Sequence, residues 1–407
     1  MSYFVKNINI NKLLHLHNFT IETHQNSPHL LITGKNGTGK TILLNAVADF
    51  FDIMFGEDCT RLCHYFKQLD YWRGKHQAHN DPNHNYEIAL QQINNLFDKV
   101  WLEFVDFEDL IEQYKNKNFI ISFYGAGRLA KMQEPKNPTK PNLQTTGGSS
   151  SSLTNQFLFF LSDLKIQEAL ARNEQQYTDA DNIKSWFEGF EGILKEIYDD
   201  KELKLEFNYK DYSFLIVTNG KKFKFTEMSD GFIAAIDIIA DLILKMQDGD
   251  TLIRNYQKEG LVLIDEIETH LHLELQRTVM PLLTKVFPKI QFIVTTHSPF
   301  VLSSMPNAIA YDLEHREAIN DLTEYSYEAL AEGYFGVKTE SSYIEMRLGS
   351  LRDLLEKEEL SNGEAEQLLA LIKDFEQIPE AVSPTLIGEF MRLKVEFSDK
   401  VNALKKS

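Results

Sequence analysis

Cysteine is nearly absent. The 407 residues hold two, Cys59 and Cys63, too few for a disulfide framework in a chain of this length. Long apolar runs are missing too: no stretch approaches the roughly 20 residues a bilayer-spanning helix needs. The start, MSYFVKNINI, lacks a basic region followed by an apolar segment, so no secretory leader is expected. These absences point to a cytoplasmic protein without a membrane segment. Positive charge is also scarce. Lys plus Arg number 42 against 60 Asp plus Glu, for a net charge of −18. That argues against a surface coating nucleic acid nonspecifically, while leaving room for a local basic groove or a basic protein partner. What remains is the composition of an ordinary globular protein, long enough for roughly two or three domain-sized units.

Gly34-Lys35-Asn36-Gly37-Thr38-Gly39-Lys40-Thr41 fits G-x-x-x-x-G-K-[ST], a loop that cradles nucleotide phosphates. His29–Thr33 before it reads as a short buried strand. Ile42, Leu43, Ala46, Val47 and Phe50 after it recur at helical spacing. Residues 36–41 are thus the expected nucleotide contacts. Small residues let backbone N–H groups close on phosphate oxygens, aided by the partial positive charge of a helix start. Lys40 would reach the outer phosphates, and the Thr41 hydroxyl would ligate magnesium.

Further along, continuous apolar strands at 260–264 and 290–294 flank a helix near 273–287, indicating a parallel sheet covered on both faces. Phe119–Tyr124 is another strand candidate. Leu203–Phe207, Phe214–Val217 and Phe223–Phe225 read as strands, the last two joined by an Asn219-Gly220 hairpin turn. The expected division is an ATPase lobe with phosphate loop and polar insertion at 1–130, and a mobile loop of linker composition at 131–155. A helical lobe follows at 156–250, then the rest of the ATPase core at 251–340 and a charged helical region at 341–407.

Three more motifs bear on chemistry. Leu261–Ile264 ends in Asp265-Glu266. At a strand's carboxyl end beside a phosphate loop, Asp265 can hold magnesium and Glu266 can polarise the attacking water. Ile293–Thr296 delivers His297 into a loop, where it can hydrogen-bond a terminal phosphate. Ser229-Asp230-Gly231 precedes a long apolar helix. It forms a second anion site suited to a partner's nucleotide, or a plain helix cap.

In this order the residues resemble the ABC-type ATPase head, as found in RecF, SMC and overcoming-lysogenization-defect proteins. The resemblance implies a P-loop α/β fold: a mixed sheet flanked by helices, with a helical lobe insertion and a C-terminal helical region. It makes 34–41 the Walker A motif, Asp265-Glu266 the end of Walker B, Ser229-Asp230-Gly231 the signature and His297 the switch histidine. Lys40, Glu266 and His297 are then the catalytic residues. It also implies two heads meeting head-to-tail, as a homodimer or higher even oligomer, around ATP and Mg2+. The coupling glutamine of the family's Q-loop is not obvious after Phe119–Tyr124: Gln133 is one candidate, and Arg128 could contact phosphate or the partner instead. Phe157–Ala171, Trp186–Phe190, Met228–Ala235 and Glu332–Val337 resemble the ATPase subunit of Septu and retron-associated defence systems. This second resemblance implies antiphage defence with a separate nuclease, HNH-type or alternatively Toprim-type. The C-terminal helices would then dock that partner or close over their own head. Nucleic acid is a further candidate partner. A RecF-like DNA-repair ATPase shares every head motif and is the alternative reading; a transporter's nucleotide-binding subunit lacks support in the signature. Cys59, Cys63, His64, His76, His79 and His84 read as either a metal site or a polar helical insertion, the spacing favouring the insertion.

Overall fold

The computed structural model describes residues 4–24, 28–55, 59–78, 81, 84–104, 106–128, 132–137, 139–143, 149–247, 256–320, 322–335, 342–378 and 384–404. The chain begins with β1 (Val5–Leu13), β2 (Leu16–Glu22), β3 (His29–Thr33), α1 (Lys40–Met54), α2 (Cys59–Gln77), α3 (Asn85–Leu96), β4 (Val100–Phe104), α4 (Phe107–Lys115) and β5 (Phe119–Tyr124). It continues through α5 (Phe157–Asn173), α6 (Tyr177–Tyr198), β6 (Lys204–Asn208), β7 (Ser213–Thr218), β8 (Lys221–Lys224) and α7 (Asp230–Lys245). Then come β9 (Glu259–Ile264), α8 (Leu273–Val286), β10 (Ile290–Thr295), α9 (Pro299–Leu302), β11 (Ala308–Asp312), β12 (Glu317–Asn320) and α10 (Tyr327–Phe335). The last elements are α11 (Ser342–Glu356), α12 (Asn362–Glu376), α13 (Pro384–Glu396) and α14 (Ser398–Leu404). The chain divides into two compact units, 1–330 and 331–407.

The first unit is built on a six-stranded sheet of order β12-β11-β3-β10-β9-β5. All neighbours pair in parallel except the β11–β12 hairpin. Every residue of β3, β10 and β11 is buried, which is why those strands carry apolar runs rather than an alternating pattern. Parallel pairing brings the carboxyl ends of β3, β9 and β10 out along one edge. Open α/β sheets bind ligands at that edge, and there the chain places Gly34, Asp265 and His297.

The helix α1 fills the space between this sheet and a three-stranded antiparallel sheet, β2-β1-β4. Leu43, Leu44, Val47, Phe50, Phe51 and Met54 recur at three- and four-residue spacing and are fully buried. Each such side chain contributes about 1.5–3 kcal/mol, so packing fixes where the helix begins and with it the phosphate loop. The polar insertion is helical, as expected. From α2, Leu62, Phe66 and Leu69 join the same core, and Arg73 grips Glu103 of β4 through two 2.9 Å hydrogen bonds. Among the described residues no group of three or more His, Cys, Asp or Glu side chains is placed to hold a metal ion; His79 and the Cys59 side chain lie outside that description. Also among the described residues, no helix is long and apolar enough to cross a membrane.

A third sheet, β6-β7-β8, packs with α5, α6 and α7 around Phe157, Trp186, Phe190, Phe214 and Phe225. The segment expected as a mobile loop, 131–155, falls partly outside the described residues. Its last part is tied down: Leu153 N donates to Asp241 Oδ1 (2.5 Å), Lys245 Nζ to Ser151 O (2.6 Å) and Thr154 Oγ1 to Asp237 Oδ1 (2.5 Å). The second unit has its own core, with Leu351, Leu355, Leu368, Ile372, Phe375 and Phe390 packed together. Ser361 and Glu364 form a reciprocal capping box that starts α12.

His29, at the start of β3, sets a pH limit on this fold. It is 3% exposed, its Nδ1 accepts from Phe292 N at 3.2 Å, and burial lowers its pKa to about 4. The unfolded chain takes up this proton near pH 6.5 and the folded chain only near 4. Stability therefore falls as pH drops through that window, by about 3 kcal/mol at 1.36 kcal/mol per pH unit. Urea unfolding between pH 7 and 4.5 should show this loss, and His29→Asn, which keeps an acceptor, should flatten it. An equal slope in the variant would remove His29 as the source.

Candidate active site

The loop between β3 and α1 has the shape an anion needs. Gly37 and Gly39 sit at φ of 85° and 98°, where a side chain would be strained. No atom lies within 4 Å of a Cβ placed on Gly37, whereas Gly39 backs onto Leu16 and His15 of the β1–β2 turn. No side chain caps the start of α1, which leaves its first-turn N–H groups for a ligand. Lys40 is 6% exposed, and its Nζ folds back over the loop to Gly34 O (2.8 Å) and Lys35 O (2.9 Å). Burial pulls its pKa down, opposed by Glu266, Glu268, Asp265 and Asp312.

Asp265 emerges from β9 and is 2% exposed. Its Oδ1 accepts from Thr41 Oγ1 at 3.2 Å and from Thr295 Oγ1 at 2.6 Å. The phosphate loop, β9 and β10 thus meet at one carboxylate oxygen. Thr295 also accepts from Glu266 N at 2.8 Å. Glu266 itself has φ of 45°, a left-handed conformation that costs a residue with a Cβ about 1–2 kcal/mol. Its carboxylate accepts from Thr269 Oγ1 at 3.3 Å.

His297 lies beyond β10, its backbone N donating to Glu268 Oε1 at 2.5 Å, while Thr296 Oγ1 donates to Glu268 Oε2 at 2.8 Å. Burial, and then the charge of Lys40, lowers the His297 pKa, so the imidazole is neutral at physiological pH. Burial raises the Glu268 pKa. The two residues that sequence reasoning missed, Thr295 and Glu268, carry much of this geometry. Thr295 had one signal: a hydroxyl at the end of a strand otherwise suited to Val or Ile.

The 229–231 segment starts α7. Ser229 is exposed at the start of α7 and makes no capping bond with its side chain. Among the described residues no hydrogen bond joins Ser229 to residues 34–41. Gly231 packs on the turn after Asp265-Glu266: a Cβ there would come 2.8 Å from His270 O. The chain brings Lys40, Thr41, Asp265, Glu266 and His297 into one neighbourhood. Arg128 is not aimed at solvent or a partner. It is 9% exposed and donates to Asp265 O (2.9 Å) and Ile267 O (2.7 Å). Gln133 is exposed.

The family described as "AAA domain, putative AbiEii toxin, Type IV TA system" matches residues 64–303, a span that starts after the phosphate loop. The Septu protein PtuA of Bacillus mycoides (strain KBAB4) is 27% identical over 303 residues, covering 74% of this chain and 39% of that protein. The Retron Vc95 probable ATPase of Vibrio cholerae serotype O1 biovar El Tor is 30% identical over 164 residues, covering 40% of this chain and 29% of that protein. The chain thus spans well under half of the length of these relatives. The crystal structure of the SmcHead bound to the C-winged helix domain of ScpA overlaps 77% of this chain and 96% of its own at 11% identity, with a TM-score of 0.39, too low to bear on the fold. The matched span takes in more than half of the chain, with Arg128, Ser229, Asp265, Glu266 and His297 inside it, and the chain belongs to this AAA-domain family.

Proposed function

We propose that the chain is an ATPase which closes as a head-to-tail dimer on ATP and controls a partner nuclease in antiphage defence. One observation carries the chemical part. Thr41 Oγ1 and Thr295 Oγ1 converge on Asp265 Oδ1, next to a loop with open N–H groups and a buried lysine. A hydroxyl and a carboxylate at that point are hard oxygen ligands suited to magnesium. Bound there, Mg2+ would supply charge neutralisation between the β- and γ-phosphates. Lys40 would exchange loop carbonyls for phosphate oxygens. Glu266 would take the proton of the water attacking the γ-phosphorus, with ADP as the leaving group. The neutral His297 would hydrogen-bond the terminal phosphate and register its loss. Ser229 and Gly231, in the segment that resembles the family's signature, would act on the nucleotide of a second copy.

The partner rests on resemblance to the Septu and retron proteins. On that resemblance, this chain would act through a separate nuclease, HNH-type or alternatively Toprim-type, docked on helices α11–α14. The chemistry is tested first. ATP titration and phosphate release should show magnesium-dependent turnover. Lys40→Ala should weaken ATP binding about 10–10²-fold, as expected for losing charged hydrogen bonds. A chain that never hydrolyses ATP, or a Lys40→Ala variant of unchanged affinity, would refute the reading.

A further inference from the structure

Glu266 is held in a conformation its side chain disfavours; Thr295 ties the turn it occupies, accepting from Glu266 N at 2.8 Å and from Ile267 N at 3.2 Å, and Arg128 grips the carbonyl side of the same turn. The two short hydrogen bonds of the Arg128 guanidinium land on the carbonyls of Asp265 and Ile267, the residues on either side of Glu266. Two longer ones, at 3.5 Å, reach Glu266 O itself. The planar fork therefore spans the residue at φ of 45°. An arginine is a costly choice for stability alone. It is buried, and among the described residues its Nε has no hydrogen-bond partner, a loss of about 1–3 kcal/mol. The carboxylates of Asp237, Glu268, Asp265 and Glu266 offset its burial, with Asp237, on α7, contributing most. An orphaned buried donor in a fully formed fold is a reason to look for function.

We propose that Arg128 is a positioning residue for hydrolysis, holding the Asp265–Ile267 turn so that the Glu266 carboxylate faces the attacking water. The proposal rests on the reading of Glu266 as the base. Without the fork, the carbonyls of Asp265 and Ile267 lose their donor and the Glu266 carboxylate loses its placement, while the residues of the phosphate loop are unchanged. Lysine cannot substitute, because one ammonium does not bridge the two carbonyls as a rigid fork does.

The experiment measures steady-state and single-turnover ATP hydrolysis by the full chain carrying Arg128→Lys or Arg128→Gln, alone and combined with Glu266→Gln. The single variants should lose about 10–10²-fold in kcat, the scale of a misplaced catalytic group. KM and the number of ATP molecules bound per chain should hold. On the Glu266→Gln background they should cost nothing further, since the group they position is already gone. A merely structural residue would lower bound ATP and rate together. Unchanged kcat in Arg128→Lys, or an undiminished further loss on the Glu266→Gln background, overturns the proposal. So does failure of both variants to fold, which would make Arg128 a structural keystone. If Glu266→Gln turns over at the unmutated rate, the assignment of the base falls and takes the proposal with it. If Glu266→Gln is inactive while Arg128→Lys is fully active, the proposal alone fails.

Discussion

Glu266→Gln should abolish most ATP turnover, by about 10²–10⁴-fold, the range for removing a general base, while leaving ATP affinity unchanged. Glutamine has the same shape and can keep the acceptor bond from Thr269 Oγ1 and the backbone bond to Thr295 Oγ1. It also meets the same left-handed backbone demand, so fold and turn should survive. What it cannot do is take up the proton of the attacking water. The contacts proposed to bind phosphate and magnesium belong to Lys40, Thr41 and Asp265, none of which changes. Phosphate release and ATP titration on one preparation separate the two quantities. Turnover near the unmutated rate would remove Glu266 as the base.

Gly231→Ala should weaken ATP-dependent dimerisation about 10–10²-fold while sparing ATP binding by the single chain. A Cβ at 231 would lie 2.8 Å from His270 O, a backbone atom that cannot rotate aside. Such overpacking costs about 1–3 kcal/mol, which corresponds to that range in a dissociation constant. Relief requires the start of α7 to lift off the 270 turn, and Ser229, at that start, would move with it. The phosphate loop lies outside this contact. Light scattering across a concentration series, with ATP affinity measured alongside, checks the prediction. Dimerisation at the unmutated concentration would show that the Gly231 contact does not set the signature surface.

The parts of this site legible in the sequence were those written in consecutive residues. The strand, glycine loop and helix at 29–54 could be read because glycine spacing and apolar periodicity are local signals. The same holds for the strand ending in Asp265-Glu266 and the one before His297. The pairing of β4 with β1 could not be read, since Ile10 meets Val100 across ninety residues. Nor could the roles of Arg128, Thr295 and Glu268 be read. Arg128 was weighed as a contact to phosphate or partner, yet it donates to carbonyls 137 and 139 residues away. Glu268 braces the loop of His297 through Thr296 Oγ1 and the His297 backbone N–H, residues 28 and 29 positions away. Side chains that hold backbone in place leave no pattern in their own neighbourhood.

In the proposed function, ATP closes two copies through Ser229 and Gly231. The mass of Glu266→Gln in saturating MgATP tests it most directly, compared with the same variant carrying Gly231→Ala. Such closure should double the mass of the first from the 47.1 kDa of one chain, and the second, with ATP bound, should need about 10–10²-fold more protein to reach the doubled mass. A first variant that stays monomeric with ATP bound, or a second that dimerises as readily, would contradict it.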